Sequence, residues 1–555
     1  PKTTKYMPLA KRLAYPLNTK KIKRARSPMS SNLAMSEERT PLPRFAKLLI
    51  LLGIVLIAVR LCLWHVVLDK TVQGDQKFLD GREAVTGMHC ANDRSRWATV
   101  AALVHNGTFS IDDIDPLRGE NGNWGTIDKV YHSDSAGTER YYSSKPPLYN
   151  LVLAAQYWLL NKATGLDILA QPLPVIKLLT FLNQSLLFLL IVILLATVAE
   201  PLITDRRLYA LYLFSIIFGT FLSTFSVTIN NHVPAALFTL LTVLQCKKLT
   251  TDPQQSRRYA YVGLFAAITV TFELPSLAFL ALVGIWCLTL DIKRSLVFGV
   301  PAISIVFFAY LSANYFAHGS WQPPYAHRSD GDVVEVLSLN DGDSLVRGVL
   351  PDNLDLFSET MPGMGNYRIE DHPTEGRWRI FDYTNNVRYA LVRQVSTYEI
   401  KIWDNWYDYE VDGRKSYWLP GEAAGVDVGE SSRTGYFFHL VIGHHGFYSL
   451  TPIFIFALFA MITQLREGDS FWTPLAKITL SLTAILLAFY VFRPLQDRNY
   501  GGVASGFRWM FWMIPLYSLF LIPGILKIRH SFFLMVLFLV AIAVSVYSAH
   551  YALLN

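Results

Sequence analysis

The chain is poor in charge and in cysteine. Of its 555 residues only 17% are charged while 52% are hydrophobic, which excludes an ordinary soluble domain as the whole molecule. Cys62, Cys90, Cys246 and Cys287 are too few and too scattered for a disulfide framework, and three of them fall in or at the ends of apolar runs. Nucleotide-cradling loops are missing as well: there is no G-x-x-x-x-G-K-[ST] and no G-x-G-x-x-G after a strand. His89 and Cys90 are adjacent, His444 and His445 likewise, and no H-E-x-x-H occurs, so the ligand spacing of a zinc site is lacking. Ser505 in Gly502-Val-Ala-Ser-Gly506 does not fit the G-x-S-x-G elbow of serine hydrolases.

What is present is positive charge at one end and long apolar runs. The net charge of +7 is concentrated in a tail, residues 1–45, that holds Lys11, Arg12, Lys20, Lys21, Lys23, Arg24 and Arg26 against Glu37 and Glu38. Set before a hydrophobic span, such a tail reads as a disordered cytoplasmic segment facing anionic lipid rather than as a nucleic-acid arm. The span after it, with no small-residue cleavage site, reads as an anchor.

Apolar stretches near 46–68, 173–199, 207–226, 232–246, 258–272, 275–290, 296–316, 449–465, 474–492, 508–525 and 531–550 predict a polytopic α-helical membrane protein of about eleven transmembrane helices. The short-loop cations Arg206, Arg207, Lys247, Lys248, Arg257, Arg258, Lys293, Arg294, Arg466, Lys527 and Arg529 then share the cytoplasmic side with the tail. Residues 46–317 form a membrane module that includes an outer loop, 69–146, and a short helix at 147–161, which follows two prolines and is expected to be juxtamembrane or re-entrant. Trp97, Val100, Ala101 and Val104 recur at helical spacing, with Arg94, Arg96 and His105 as the polar side of a second interfacial helix. Residues 318–446 predict a small exoplasmic domain of mixed α/β or β structure, with strands at Val333–Leu337 and Trp378–Phe381; residues 447–555 add the C-terminal helices. Trp403, Trp406 and Tyr407 suit core packing better than sugar stacking.

An outer face poor in nucleotides leaves chemistry by an acid and cations beside the membrane. A carboxylate can take a proton from an acceptor hydroxyl while Lys and Arg neutralise a departing phosphate. Asp93 is the candidate base because it stands just before an interfacial helix; Asp80, Glu83, Asp112, Asp113 and Asp115 are less well placed. Asp113-Ile-Asp115 spells D-x-D, a match common by chance. Lys145 and Arg96, with Arg493, Arg498 and Arg508 from the C-terminal half, are candidates for the phosphate, and Gly501-Gly502 between them allow close backbone approach. Glu273 interrupts an apolar run, which is costly enough to suggest function or a turn cap, and His232 in a short outer turn has the same two readings.

Asp93-Arg-Ser-Arg96-Trp97-Ala98 and Tyr142-Ser-Ser-Lys145-Pro146-Pro147-Leu148 together resemble the D-E-x-R-Y-A and K-P-P-L elements of the lipid A aminoarabinose transferases and protein O-mannosyltransferases, members of the GT-C superfamily. The resemblance implies a GT-C-like fold, Asp93 as the essential first-loop aspartate, Arg96 in the family's arginine position, Lys145 near the donor phosphate and Tyr142 as a candidate substrate contact. Arg94 stands where the family often has Glu, so shared metal coordination is not expected; no cofactor is required and a divalent metal stays optional.

The sequence therefore predicts a glycosyltransferase, hexosyl or pentosyl and inverting. It would move a sugar from a polyprenyl-phosphate donor to a glycolipid, protein or glycan acceptor on the exoplasmic face of the cell inner (plasma) membrane. The alternative is a transporter or flippase of a lipid-linked sugar, which the lack of an internal repeat and of mid-depth charges disfavours.

Overall fold

In a computed structural model, the described residues are 43–63, 66–68, 84–117, 123–134, 137–351, 354, 367–382, 387–411, 413–502 and 505–554. Most of the basic tail, and Asp80 and Glu83, lie outside them.

The apolar stretches fold for the most part as helix: Arg44–Leu63, Pro172–Ala199, Arg206–Phe218, His232–Thr251, Ser256–Phe272, Leu274–Leu290, Ile292–His318, Ile453–Gln464, Trp472–Val491, Arg508–Ile528 and Phe532–Leu554. Five helices among the described residues are long and apolar enough to cross a membrane, namely Pro172–Ala199, Ile292–His318, Trp472–Val491, Arg508–Ile528 and Phe532–Ala552, so the chain is polytopic. Arg508–Ile528 is central and buried nearly all round, whereas Ile292–His318 turns Ile305, Phe308 and Phe316 outward. Helices approach closely where a side chain is missing. A methyl on Gly263 would lie 2.5 Å from the Gly299 carbonyl oxygen, and one on Gly524 would lie 2.9 Å from that of Phe456. The 207–226 stretch is not one helix: Arg206–Phe218, capped by the Asp205 carboxylate on the amides of Arg207 and Leu208, ends at Gly219, and a short helix, Phe221–Phe225, follows.

Between the first helix and Pro172 the chain builds the floor of the site. The helix Ala91–His105 is followed by an antiparallel hairpin, Lys129–Ser133 with Glu139–Ser143, and then by the helix Pro147–Thr164. Proline opens that last helix and Gly165, at φ 72°, closes it in the left-handed conformation. Of the polar side expected for the helix Ala91–His105, Arg94 and His105 keep some exposure, but Arg96 is as buried as Trp97 and Val100. A turn of π-helix at Phe181–Ser185 carries a buried polar belt in which Gln184 donates to the Tyr149 hydroxyl at 3.1 Å and to the Asn230 carbonyl at 2.8 Å.

Residues 333–402 hold a five-stranded antiparallel sheet in the order Val333–Ser338, Thr397–Ile402, Val387–Arg393, Arg377–Asp382, Tyr367–Asp371. Leu337, Leu345, Ile380, Leu391, Tyr398 and Ile400 form its core. The helix Leu339–Val346 lies so close that a methyl on Gly342 would fall 2.1 Å from the Tyr398 ring. Beyond the sheet, Trp406 and Tyr407 are buried against Val130 and Tyr142 of the hairpin, so these aromatics pack rather than present their faces.

Candidate active site

The stretch Asp93-Arg-Ser-Arg96 divides its labour among three buried side chains. Asp93 turns back on the chain: its two carboxylate oxygens accept from the amides of His89 at 2.7 Å and Cys90 at 2.9 Å, groups that the start of a helix leaves unpaired. Ser95 fastens the loops below. Its hydroxyl lies 2.6 Å from the Asp128 carbonyl oxygen and 2.6 Å from the Ser143 hydroxyl, which in turn accepts from the Lys145 amide at 3.1 Å. Arg96 points inward, donates from one nitrogen to the Asn231 side-chain oxygen, and leaves Nε and Nη1 buried without a hydrogen-bond partner among the described residues.

Lys145 is brought beside Asp128 by these bonds, with Nζ 3.0 Å from Oδ1. Burial lowers the pKa of its ammonium from the ordinary lysine value; Asp128 opposes that shift, while Arg96 and Arg508 reinforce it. Arg96 and Arg508 thus lie within electrostatic reach of Lys145, whose close carboxylate among the described residues is Asp128. The Tyr149 ring lies under Arg96, 6.0 Å from its guanidinium carbon. Arg508 comes from the far end of the chain, opening the central helix, and its Nε is also buried without a hydrogen-bond partner among the described residues. It fits there because Gly501, at φ 97°, has no side chain; a methyl would lie 2.6 Å from that Nε. Tyr325, pushed up to about 12 by burial and influenced by Arg96, Asp128 and Glu273, borders the same group of charges. Asp427 does too: burial raises its pKa, the Tyr417 hydroxyl at 3.1 Å and the charges of Arg508 and Lys145 lower it, and Asp128 adds to the rise.

Of the cations singled out in the sequence, Arg96 and Arg508 therefore lie within electrostatic reach of Lys145. Arg498 has a different setting, with Nη1 on the Ser431 carbonyl at 3.0 Å, and Arg493 pairs with Asp497 at 3.0 Å. His232 and Glu273 meet at the ends of two helices, ring Nδ1 2.6 Å from Oε1. Tyr142 is not presented to these charges by its packing: it stacks on the His132 ring at 4.3 Å and is buried beside Trp406. The D-x-D pair points apart, Asp113 exposed and Asp115 buried on Lys129 Nζ at 2.6 Å.

Sequence reasoning missed Ser95, Asp128, Tyr325 and Asp427. Asp128 stands next to Lys129 in a polar loop and has no motif around it; only the fold shows that its partner is Lys145.

No protein-family model and no curated protein matches the chain. Among solved structures it is similar to the Saccharomyces cerevisiae protein O-mannosyltransferase Pmt1-Pmt2 complex bound to the sugar donor. The TM-score is 0.40 at 13% identity, over 94% of this chain and 91% of that one. A likeness at that level carries no residue correspondence and no chemistry, which rest on the geometry above.

Proposed function

We propose that the chain is a GT-C-type glycosyltransferase of about eleven transmembrane helices, transferring a sugar from a polyprenyl-phosphate donor to an acceptor at the outer face of the membrane. The observation that carries this reading is the Arg96 guanidinium, buried on an amide with two nitrogens unpaired among the described residues, near Lys145, which Arg508 also influences. A buried cation without a carboxylate is costly, and a phosphate would repay that cost where an apolar side chain could not.

The place of the site supports a lipid-borne phosphate. Arg508 opens a membrane-length helix, and Glu273 and His232 lie at helix ends, so the cations gather at a boundary between apolar helices and polar loops. There a diester phosphate can meet Lys145, Arg96 and Arg508 while its hydrocarbon tail stays among the helices. In transfer, the acceptor oxygen forms a bond to the sugar C1, the C1–O bond to phosphate breaks, and the electron pair leaves on a phosphate that the three cations stabilise. A direct displacement inverts C1. Charge neutralisation falls to side chains, with no step given to a divalent ion. The acceptor, a glycolipid, protein or glycan, would enter from the side of residues 318–446.

The test is release of polyprenyl phosphate from radiolabelled polyprenyl-phosphate sugars by purified protein in lipid, native against Lys145→Met. We expect turnover by the native chain and a fall of about 100-fold in the variant. Inertness of the native chain with every donor overturns the reading.

A further inference from the structure

Resting on that reading, we infer that the group taking the acceptor proton is the Asp128 carboxylate, and that Asp93 is a positioning residue for the helix that carries Ser95 and Arg96.

The two aspartates differ in what their oxygens still have to do. Both carboxylate oxygens of Asp93 accept a backbone amide, and the residue is 1% exposed. A base must lie within hydrogen-bond reach of the proton that it takes, and a carboxylate folded back on its own helix start is spent on that start. Asp128 has the opposite arrangement. Its backbone is fixed on both sides: the amide donates to Thr126 Oγ1 at 3.0 Å, and the carbonyl accepts from Ser95 Oγ at 2.6 Å and from the Ser144 amide at 3.1 Å. Thr126 Oγ1 is itself tied to the Ala91 carbonyl at 2.7 Å, so the loop is bound to the helix start at two points. The side chain then makes one contact, Oδ1 to Lys145 Nζ at 3.0 Å; Oδ2 accepts no hydrogen bond among the described residues, and 14% of the side chain stays exposed. This is a rigidly held carboxylate with one oxygen free beside the cation that would meet the leaving phosphate.

The other acids near the cations serve less well. Asp427 is engaged by the Tyr417 hydroxyl at 3.1 Å and, among the described residues, forms no ion pair with the three cations. Glu273 is buried against His232. In the step, Asp128 Oδ2 takes the acceptor hydroxyl proton as that oxygen bonds to the sugar C1. The C1–O(phosphate) electron pair goes to the phosphate at Lys145, Arg96 and Arg508. The proton then passes from Asp128 to water.

The experiment measures polyprenyl phosphate release and donor binding separately for the native chain, Asp128→Asn and Asp128→Glu, with thermal midpoints recorded for each. Asn keeps an oxygen for Lys145 and cannot act as base. We expect Asp128→Asn to lose about 100-fold or more in kcat with donor binding within about threefold of native, and Asp128→Glu to recover part of that loss. Formate added to Asp128→Ala should restore some turnover, which a purely structural role would not show. A native chain that turns over while Asp128→Asn retains its kcat overturns this assignment alone. So does an Asp128→Asn variant that loses only donor affinity, since Asp128 would then merely hold Lys145. A native chain inert with every donor overturns the proposed function and this assignment with it.

Discussion

Two regions of the molecule bury arginine, and they treat it differently. Around the sheet, Arg379 donates to Asp408 Oδ1 at 3.1 and 2.7 Å, Arg377 reaches both Asp330 and Asp408, and His372 Nε2 lies 2.8 Å from Asp408. Both of these guanidiniums end on a carboxylate. In the first-loop region Arg96 is 2% exposed yet, among the described residues, hydrogen-bonds only an amide, and of the trio Arg96, Lys145 and Arg508 it is Lys145 that has a close carboxylate. Burying a charge costs several kcal/mol unless a partner offsets it. Under the proposed function the carboxylate-paired arginines are scaffold and the unpaired Arg96 is the place kept for a phosphate, and that contrast can be tested.

The sharpest way to break that contrast is to remove the central acid of the paired region. Asp408→Ala leaves Arg379 and His372 buried without their carboxylate and should destabilise the fold by about 3–5 kcal/mol, read as a lower denaturation midpoint. Donor turnover per folded molecule should not change. A shift of under about 1 kcal/mol would mean that the sheet network is not a scaffold of this kind.

The join between the two regions should show in the pH dependence of stability. His132 of the hairpin stacks on Trp406 at 4.0 Å and contacts His318 Nδ1 at 3.0 Å, and burial pushes it down to about 4. An unfolded histidine titrates near 6.5, so between 6.5 and about 4 the unfolded chain holds the extra proton. Stability is thus fully present above 6.5 and falls as pH drops through that window, by roughly 3 kcal/mol for this group. His132→Gln should remove that part of the slope in unfolding measured from pH 7 to pH 4; an unchanged slope would assign it elsewhere.

In the unpaired region the signs reverse. Arg96→Met removes a buried charge with no carboxylate to orphan, so stability should hold within about 1 kcal/mol or rise. Turnover of donor should fall by about 100-fold, as when one stabilising donor is lost from a reacting site. A variant that unfolds but turns over normally when folded would make Arg96 scaffold and erase the difference between the regions.

How far this contrast could be read beforehand follows from the range of each signal. Apolar runs announce helices locally, which is why the stretches at 173–199 and 296–316 correspond closely to helices; the break at Gly219-Thr220 inside 207–226 is a single-residue event that hydropathy averages away. Lys145 and Arg96 were legible because they stand in short dense motifs. Arg96 was nevertheless assigned to a polar helix side, since spacing alone cannot say that loops will cover both faces. Asp128 was invisible because its meaning lies in Ser95 and Ser143, brought to it by the hairpin. His232 and Glu273 were each legible as oddities in apolar sequence, but their pairing belongs to the packing of two helices. Arg498, equally prominent in the sequence, went to a loop carbonyl instead.

The smallest effect is the one that separates the two aspartates of the first loop. Losing a capping carboxylate costs about 1 kcal/mol, and Asp93 receives two amides. Asp93→Asn keeps one acceptor oxygen and Asp93→Ala keeps none, so stability should fall in that order. If Asp93 only positions the helix start, turnover should be graded in the same way, Asn above Ala, because Ser95 and Arg96 move progressively as the first turn frays. If Asp93 were the base, Asn and Ala would be equally inactive despite their different stabilities, since neither can take a proton. The grading of activity, rather than its loss, therefore decides whether the conspicuous acid of the motif does the chemistry or holds in place the residues that do.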